Sequence, residues 1–124
     1  MARAVAEFRE ALAVKPDYLA ARLNLGLVLL RQGERGAAVR EFRVAVSQEP
    51  SFAEAHNNLG LALLQSGTRN EAIQEFREAL RLKPEYPYAH YNLALALGQA
   101  GETEASAKEM RRARELDPSL PAVR

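Results

Sequence analysis

The stretch AEAHNNLGLALLQSGTRNEAIQEFREALRLKP, from Ala53 to Pro84, decides the fold of this chain. It predicts two helices joined by a turn at Gly67, because glycine commonly ends a helix. Pro84 marks the end of the second helix, since proline cannot continue a helix. Closely similar units lie 34 residues earlier and 34 residues later, and the hexapeptide EFREAL occurs at residues 7–12 and again at residues 75–80. The sequence therefore predicts an array of stacked helix pairs and not a domain with one central core.

Many positions keep the same spacing along the chain: the prolines at 16, 50, 84 and 118, the glycines at 33, 67 and 101, and the Asn-Leu pairs at 24, 58 and 92. This pattern resembles the tetratricopeptide repeat family, whose units carry Leu-Gly, then Ala, three positions and an aromatic residue, and then Pro. In the middle unit these residues are Leu59, Gly60, Ala72, Phe76 and Pro84. The third unit departs from the pattern at three positions, which hold Ala94, Ser106 and Met110.

The resemblance implies an all-α fold, a right-handed superhelical solenoid of antiparallel helix pairs with about three and a half units and seven helices. A single domain over residues 1–124 would contain a half repeat, three full repeats and a tail, at residues 1–16, 17–50, 51–84, 85–118 and 119–124. The helices are expected near residues 2–14, 18–32, 35–48, 52–66, 69–82, 86–100 and 103–116. Ala107 and Arg114 replace larger apolar residues of the earlier units, which predicts a solvated face on the last helix.

Local signals refine the ends of these helices. Ser51 with Glu54, and Thr68 with Glu71, have the spacing of capping boxes, in which each side chain satisfies a free backbone N–H group. Pro87 suits the first position of a helix, where no N–H is needed.

Composition limits the possible functions. The 124 residues carry a formal net charge of +1 and no cysteine, which argues against nucleic-acid binding and excludes disulfides. No stretch resembles a signal peptide or a membrane span, so the expected location is the cytoplasm, without membrane contact. His56 and His90 lie at equivalent places in adjacent units and are interpreted as packing residues, since no metal-binding motif accompanies them. We therefore expect no enzyme activity, no cofactor and no metal site.

The first helix of each unit provides the candidate binding surface. At about 100° per residue, Leu59 and Leu63 lie on one side of the helix and Leu61 on the other. In the family that second side lines a concave groove, so the resemblance makes it a ligand surface. The candidate peptide-binding residues on it and at its edge are Asn24, Leu27, Asn57, Asn58, Leu61, Leu64, Tyr88, Tyr91, Asn92 and Leu95. The alternative is that these leucines close up a tightly wound array.

Asn24, Asn58 and Asn92 are expected at the edge of this groove. An amide offers a donor and an acceptor, so three of them spaced by one repeat could hold the backbone of an extended peptide. This is similar to the asparagine ladder of some tetratricopeptide arrays. The alternative is that each amide bonds to its own scaffold.

The predicted function is a non-catalytic protein–protein interaction module whose partner is a protein or peptide. A self-associating scaffold, which would form a homodimer, and a substrate-selecting adaptor segment of a larger enzyme remain as alternatives. A carboxylate clamp for acidic C-terminal peptides is not expected, because the positions that would hold its cations are Leu23, Tyr88 and Asn92.

Overall fold

The computed structural model describes residues 2–121 and contains seven helices and no strand in that range. The helices are α1 (Ala2–Val14), α2 (Leu19–Arg31), α3 (Arg35–Gln48), α4 (Ala53–Gln65), α5 (Arg69–Leu82), α6 (Pro87–Gln99) and α7 (Thr103–Leu116). The prediction of an all-α solenoid with seven helices is confirmed, although α2, α4 and α6 are shorter by one residue at each end. Residue 1 of the predicted half repeat and residues 122–124 of the predicted tail lie outside the described residues.

A glycine in the left-handed region ends the first helix of each pair. Gly67 has φ +86°, and its N–H donates to the Leu64 carbonyl at 3.1 Å. The next N–H, that of Thr68, donates to the Leu63 carbonyl at 2.9 Å, which completes the paired bonds of a Schellman turn. Gly33 and Gly101 have φ values of +80° and +82° and make the same turns. The three-residue turn then sends the second helix back along the first.

The two predicted capping boxes are wrong. Phe52, and not Ser51, is the N-cap residue of α4, and it makes no side-chain cap bond. The Ser51 hydroxyl instead bonds to the Glu49 carboxylate at 2.7 Å. Thr68 is the N-cap residue of α5 but makes no side-chain cap bond either, since its backbone conformation is fixed by the glycine turn that precedes it. Pro87 does begin α6, as its ring geometry predicts.

Each helix pair is held together by a close approach between a small residue and a large one. A Cβ atom added to Gly60 would lie 2.5 Å from the Phe76 ring, and one added to Gly26 would lie 2.5 Å from the Phe42 ring. Both phenylalanines are fully buried as a result. In the last pair Ala94 replaces the glycine and the more adaptable Met110 replaces the ring. The glycine of the first helix and the aromatic residue of the second thus pack as a pair, and in the third unit both positions are substituted, by Ala94 and Met110.

A polar contact also recurs in every pair. His56 on α4 places Nδ1 2.8 Å from the Glu75 carboxylate on α5 and Nε2 2.7 Å from the Pro50 carbonyl. His90 makes the equivalent contacts to Glu109 and Pro84 at 2.7 and 2.8 Å. Arg22, at the same position of the first pair, bonds to Glu41 and to the Pro16 carbonyl, both at 2.8 Å. Each basic side chain therefore ties the first helix of its pair to the second helix and to the preceding loop.

The first helices line the inner side of the array. The backbones of α2 and α4 approach each other, as do those of α4 and α6, whereas the backbones of α3, α5 and α7 stay apart. A long side chain can still cross between second helices, as Arg43 on α3 does to reach Glu71 on α5 at 2.8 Å. A stack whose first helices are closer together than its second helices curves toward the first helices. The surface of α2, α4 and α6 that faces away from the second helices is therefore the concave face.

The last helix, α7, has an exposed face at positions that are partly buried in the earlier second helices. The predicted exposure of Ala107 and Arg114 on α7 is observed. No helix within residues 2–121 is both long enough and apolar enough to cross a membrane.

Candidate peptide-binding surface

The concave face carries an apolar strip, which we define as Leu27 on α2, Leu61 on α4, and Leu95 and Tyr91 on α6. All four side chains are partly buried, and Leu27 and Leu61 pack against the main core. Leu64 is also partly buried and packs against the same core. Tyr88, one turn before Tyr91 on α6, is the most open member of the region at 55% exposure. The strip thus consists of partly buried side chains, and the more exposed Tyr88 lies beside it at the start of α6.

The three repeated asparagines do not lie in equivalent surroundings. Asn24 on α2 is exposed, Asn58 on α4 is partly buried, and Asn92 on α6 is only 8% exposed. The Asn92 amide nitrogen donates to the Asn57 side-chain oxygen at 3.1 Å. Three matching free amides, as the ladder requires, are therefore not present, because the third is engaged within the scaffold.

Asn57 joins α4 to the start of α6. It is 5% exposed, and its amide nitrogen donates to the Tyr86 hydroxyl oxygen at 3.4 Å. Together Tyr86, Asn57 and Asn92 form a buried polar chain between the two helices. Burial, and then the negative charge of Glu54, raise the pKa of Tyr86 to about 12. Asn57 and Asn92 therefore fix the position of α6 against α4 from beneath the concave surface.

Sequence reasoning missed the aromatic residue that precedes each first helix. The residues concerned are Tyr18, Phe52 and Tyr86, which keep the repeat spacing and could have been found from it. Tyr86 is buried beneath Lys83, whose Nζ lies 4.8 Å from the ring centroid and 3.3 Å from the Glu54 carboxylate. Tyr18 is 46% exposed, with Lys15 at 5.4 Å from its ring. These pairs add cationic and aromatic groups near the starts of α2 and α6.

The chemistry available here is recognition by contact and hydrogen bonding. His56 and His90 are held between carboxylates and carbonyl groups of the scaffold. Within residues 2–121, no three or more His, Asp or Glu side chains are grouped so that they could hold a metal ion. The strip offers apolar area, and beside it lie the half-exposed Tyr88 side chain and the amides of Asn24 and Asn58.

Three overlapping segments of the chain, residues 2–46, 26–87 and 58–121, match the family model for the tetratricopeptide repeat. The chain belongs to the tetratricopeptide repeat family. The match covers the half unit at α1 as well as the three helix pairs, which agrees with the repeat spacing in the sequence.

Solved structures of MamA are similar to this chain. A MamA from Desulfovibrio magneticus RS-1 has a TM-score of 0.84 and 26% identity, and the match covers 97% of this chain and 68% of that one. An ArsTM double mutant of RS-1 MamA has a TM-score of 0.84 and 26% identity, and the match covers 94% of this chain and 66% of that one. A MamA described as AMB-1 has a TM-score of 0.78 and 28% identity, and the match covers 94% of this chain and 69% of that one. The chain thus spans about two thirds of the length of these proteins. The comparison with curated proteins gave no match.

The repeats and the likeness to MamA support a protein–protein interaction or scaffold module. Fold alone does not name a ligand, because one repeat architecture serves many partners.

Proposed function

We propose that this chain is a non-catalytic module that binds a peptide segment of a partner protein along its concave face. The observation that carries the proposal is Tyr88, a large aromatic side chain left 55% exposed beside the apolar strip. Tyrosine supplies rigid apolar area together with a hydroxyl group, and it is enriched at interface hot spots. An open tyrosine that continues a row of leucines provides a natural anchor for a partner.

The members of the surface have separate roles in this proposal. Leu27, Leu61, Leu95 and Tyr91 provide apolar contact, with Leu64 supporting them from the core. Asn24 and Asn58 bond to the peptide backbone, since their amides are more accessible than that of Asn92. Asn57 and Asn92 contribute indirectly, by holding α4 and α6 in register.

The partner segment is an internal one in this proposal. A terminal carboxylate needs a cation within hydrogen-bond reach, and the groove positions that would supply it are held by Leu23, Tyr88 and Asn92. Lys83 is directed instead to Glu54 and to the Tyr86 ring. A peptide recognised by apolar side chains and by its backbone fits the groups present.

Affinity capture with single variants tests the proposal. Immobilised wild-type chain is compared with Tyr88→Ala and Leu61→Asp for the proteins retained from a lysate of the source organism. We expect both variants to lose the specifically retained protein, because one removes the exposed anchor and the other places a charge in the strip. Tyr88→Ala is the decisive variant, since Tyr88 is mostly exposed and its removal leaves the core intact.

Val44→Ser is the matched control. Val44 is an exposed apolar residue too, at 39% exposure, but it lies on α3, away from the concave face. Helical circular dichroism is recorded for all variants. Unchanged capture by a folded Tyr88→Ala variant contradicts the proposal, as does equal loss with Val44→Ser.

The second candidate function is a self-associating scaffold. An open groove of about 1100 Å³ at the α6–α7 end supports it, with Leu95, Ala107 and Met110 among the lining residues. In the inner pairs the corresponding surface is covered by the next first helix, so a second copy that packed there would extend the stack. Light scattering from about 10 μM to 1 mM, the range over which weak complexes form, distinguishes the candidates. A constant monomer mass eliminates the scaffold.

A further inference from the structure

The repeat spacing of the concave face sets the spacing that a bound peptide has to match. Leu27, Leu61 and Leu95 hold equivalent positions on α2, α4 and α6. The backbones of neighbouring first helices come within 8 Å of each other, and helices packed in this way have axes about 8–10 Å apart. A peptide that crosses the three helices therefore meets one leucine of the apolar strip about every 8–10 Å.

Regular peptide conformations differ in how often they return a side chain to the same face. In a β-strand every second residue shares a face, which gives a spacing of about 7 Å. In a polyproline II helix every third residue shares a face, at about 9 Å, because a turn has three residues with a rise of about 3 Å each. In an α-helix, side chains seven residues apart share a face, at about 10 Å. The strand does not match the strip, whereas both helical conformations do.

The amides beside the strip distinguish these two helical conformations. Asn24 and Asn58 lie one repeat apart, and neither is buried. An α-helix bonds its own backbone groups to each other, except at its ends. A polyproline II helix makes no internal hydrogen bonds, so its carbonyl groups are free along its whole length. Of the two, only the polyproline II peptide can therefore accept hydrogen bonds from both amides.

The charges of the first helices favour an uncharged ligand. Apart from the histidines, the charged residues of α2, α4 and α6 are Arg22, Arg31 and Glu54. Arg22 bonds to Glu41 at 2.8 Å, and Glu54 accepts a bond from Lys83 at 3.3 Å. Arg31 is the last residue of α2, so the strip itself carries no charge. Charge complementarity therefore favours a segment that is uncharged where it meets the leucines.

Two tyrosines add aromatic surface at the α6 side of the strip. Tyr88, Tyr91 and Leu95 are three and four residues apart, so they share one face of α6. Tyr88 is 55% exposed, and Tyr91 is partly buried. Proline-rich segments in the polyproline II conformation dock into grooves lined by aromatic side chains. The concave face therefore offers the kind of surface that these segments bind.

The concave face has few polar groups with which to order a flexible peptide. The Asn92 amide is bonded to Asn57 and is not available to a ligand. Proline fixes φ at about −65°, so a proline-rich segment loses less conformational freedom on binding than an ordinary chain does. A segment that is already extended before it binds suits a surface that offers mainly apolar contact.

We propose that the concave face binds a proline-rich segment in the polyproline II conformation, with an apolar side chain at every third residue. This inference rests on the proposed peptide-binding function and specifies its ligand. Each apolar side chain contacts one leucine of the strip, and the amides of Asn24 and Asn58 donate to backbone carbonyl groups of the segment. Prolines of the segment pack on Tyr88 and Tyr91.

A synthetic peptide of four Pro-Pro-Leu units, with Gly-Ser at each end for solubility, is the probe. Its leucines lie on one face of a polyproline II helix, and the twelve residues span about 37 Å, enough to cross three helices. The peptide is titrated into the isotopically labelled 124-residue chain, and amide signals are followed by NMR. We expect saturable shifts concentrated in α2, α4 and α6. Shifts confined to other helices overturn the proposal.

Substitutions in the chain identify the contacts. Leu61→Asp should weaken binding at least about tenfold, because it places a charge against an apolar side chain. Asn58→Ala should weaken binding about two- to tenfold, the range for one net hydrogen bond. Asn70→Ala is the matched control for the amide, since Asn70 is an exposed asparagine on the second helix α5. Equal affinities of the Asn58→Ala and Asn70→Ala variants overturn the proposal.

Two further peptides test the conformation of the ligand. The first has the same composition, but its successive leucines are four, one and four residues apart, which places them on different faces of a polyproline II helix. The second is an alanine-rich α-helical peptide with leucines seven residues apart, whose central carbonyl groups are bonded internally. The first should bind at least about tenfold more weakly than the probe, since it loses apolar contacts with the strip. Equal or tighter binding of either peptide overturns the proposal.

The outcomes separate this inference from the proposed function on which it rests. If none of the peptides binds but capture of the partner protein depends on Tyr88, the partner binds in another conformation and only this inference is overturned. If the Pro-Pro-Leu peptide binds with the expected dependence on Leu61 and Asn58, the polyproline II site is supported. Capture that is unchanged in a folded Tyr88→Ala variant then contradicts the proposed function alone.

Discussion

At the scale of single residues, the contact between Gly60 and Phe76 sets how closely α4 and α5 approach. We predict that Gly60→Ala lowers the free energy of unfolding by about 1 kcal/mol. The overpacking cost of about 1–3 kcal/mol exceeds the gain in helix propensity of about 1 kcal/mol. Chemical denaturation monitored by circular dichroism measures the change.

The third pair suggests the control for this prediction. Ala94 there is accommodated next to Met110, so we expect Gly60→Ala to be less harmful in a Phe76→Met background. The two changes should couple by about 0.5–3 kcal/mol, as contacting residues do. Strictly additive effects would show that the glycine and the ring do not constrain each other.

Tyr86 is the residue whose ionisation reports on the fold. Burial raises its pKa from 10.0 to about 12, so the folded chain keeps the phenol proton where the unfolded chain releases it. The stabilisation from the neutral phenol is present below pH 10 and is lost as pH rises from about 10 to about 12. We predict a fall in the free energy of unfolding over that range.

Tyr86→Phe is the matched variant for this pH dependence, because Phe52 occupies the same position in the preceding unit. The prediction concerns the difference between the two chains, because the contributions of all other groups are common to both. The fall should be smaller in Tyr86→Phe, and identical pH profiles would contradict the assignment.

At the scale of helices, the seam between α4 and α6 depends on one pair of amides. We predict that Asn57→Leu, which introduces the residue found at Leu23 in the first unit, lowers the free energy of unfolding by about 1–3 kcal/mol. The change leaves the buried Asn92 amide and Tyr86 hydroxyl without their partner, and unmade buried bonds carry that cost. The double variant Asn57→Leu with Asn92→Leu should be less destabilised than the two single changes added together.

Denaturation curves of the four chains in this cycle measure the coupling. If the double variant is as unstable as the sum of the single variants, the amide pair does not hold the seam.

The same seam shows where prediction from sequence succeeds and where it stops. The helix bounds and the pairing follow from repeated local signals, such as the left-handed Gly67 and the small Gly60 opposite Phe76. The environment of Asn92 does not follow from its own repeat position, because its bonding partner, Asn57, is on another first helix. Leu23 and Tyr91 hold the positions equivalent to Asn57, so only the middle unit offers that amide. Repeat spacing therefore predicts the fold, while the cross-unit neighbour decides whether a surface amide is free.

The two capping boxes could not be predicted from residue type and spacing alone. Thr68 has the residue type and the spacing of a capping box, but it follows the left-handed Gly67 and its ψ of 65° is not the extended conformation that is typical of N-cap residues, so no side-chain cap bond is made. Ser51 fails differently, because α4 begins one residue later than the motif predicts, with Phe52 as its N-cap residue.

At the scale of the whole molecule, an array is stabilised by neighbours on each side, so its stability varies along its length. Helix α3 packs against both α2 and α4, whereas α1 packs against α2 alone. We predict that amides of α1 exchange with solvent through local opening, at a free energy well below that of global unfolding. Amides of α3 and α5 should exchange only near the global value.

Native-state hydrogen exchange at residue resolution measures these opening free energies. Helix α3 is the control, because it is a second helix of nearly the same length as α1. Helix α7 separates the two explanations for low protection in α1. It is also at an end, but α6 covers one of its sides, so its protection should exceed that of α1 if the missing pair helix is the cause. Equal protection in α1 and α7 would attribute the effect to chain ends alone. Protection of α1 that matches α3 would mean that the contact with α2 is sufficient to hold the half unit.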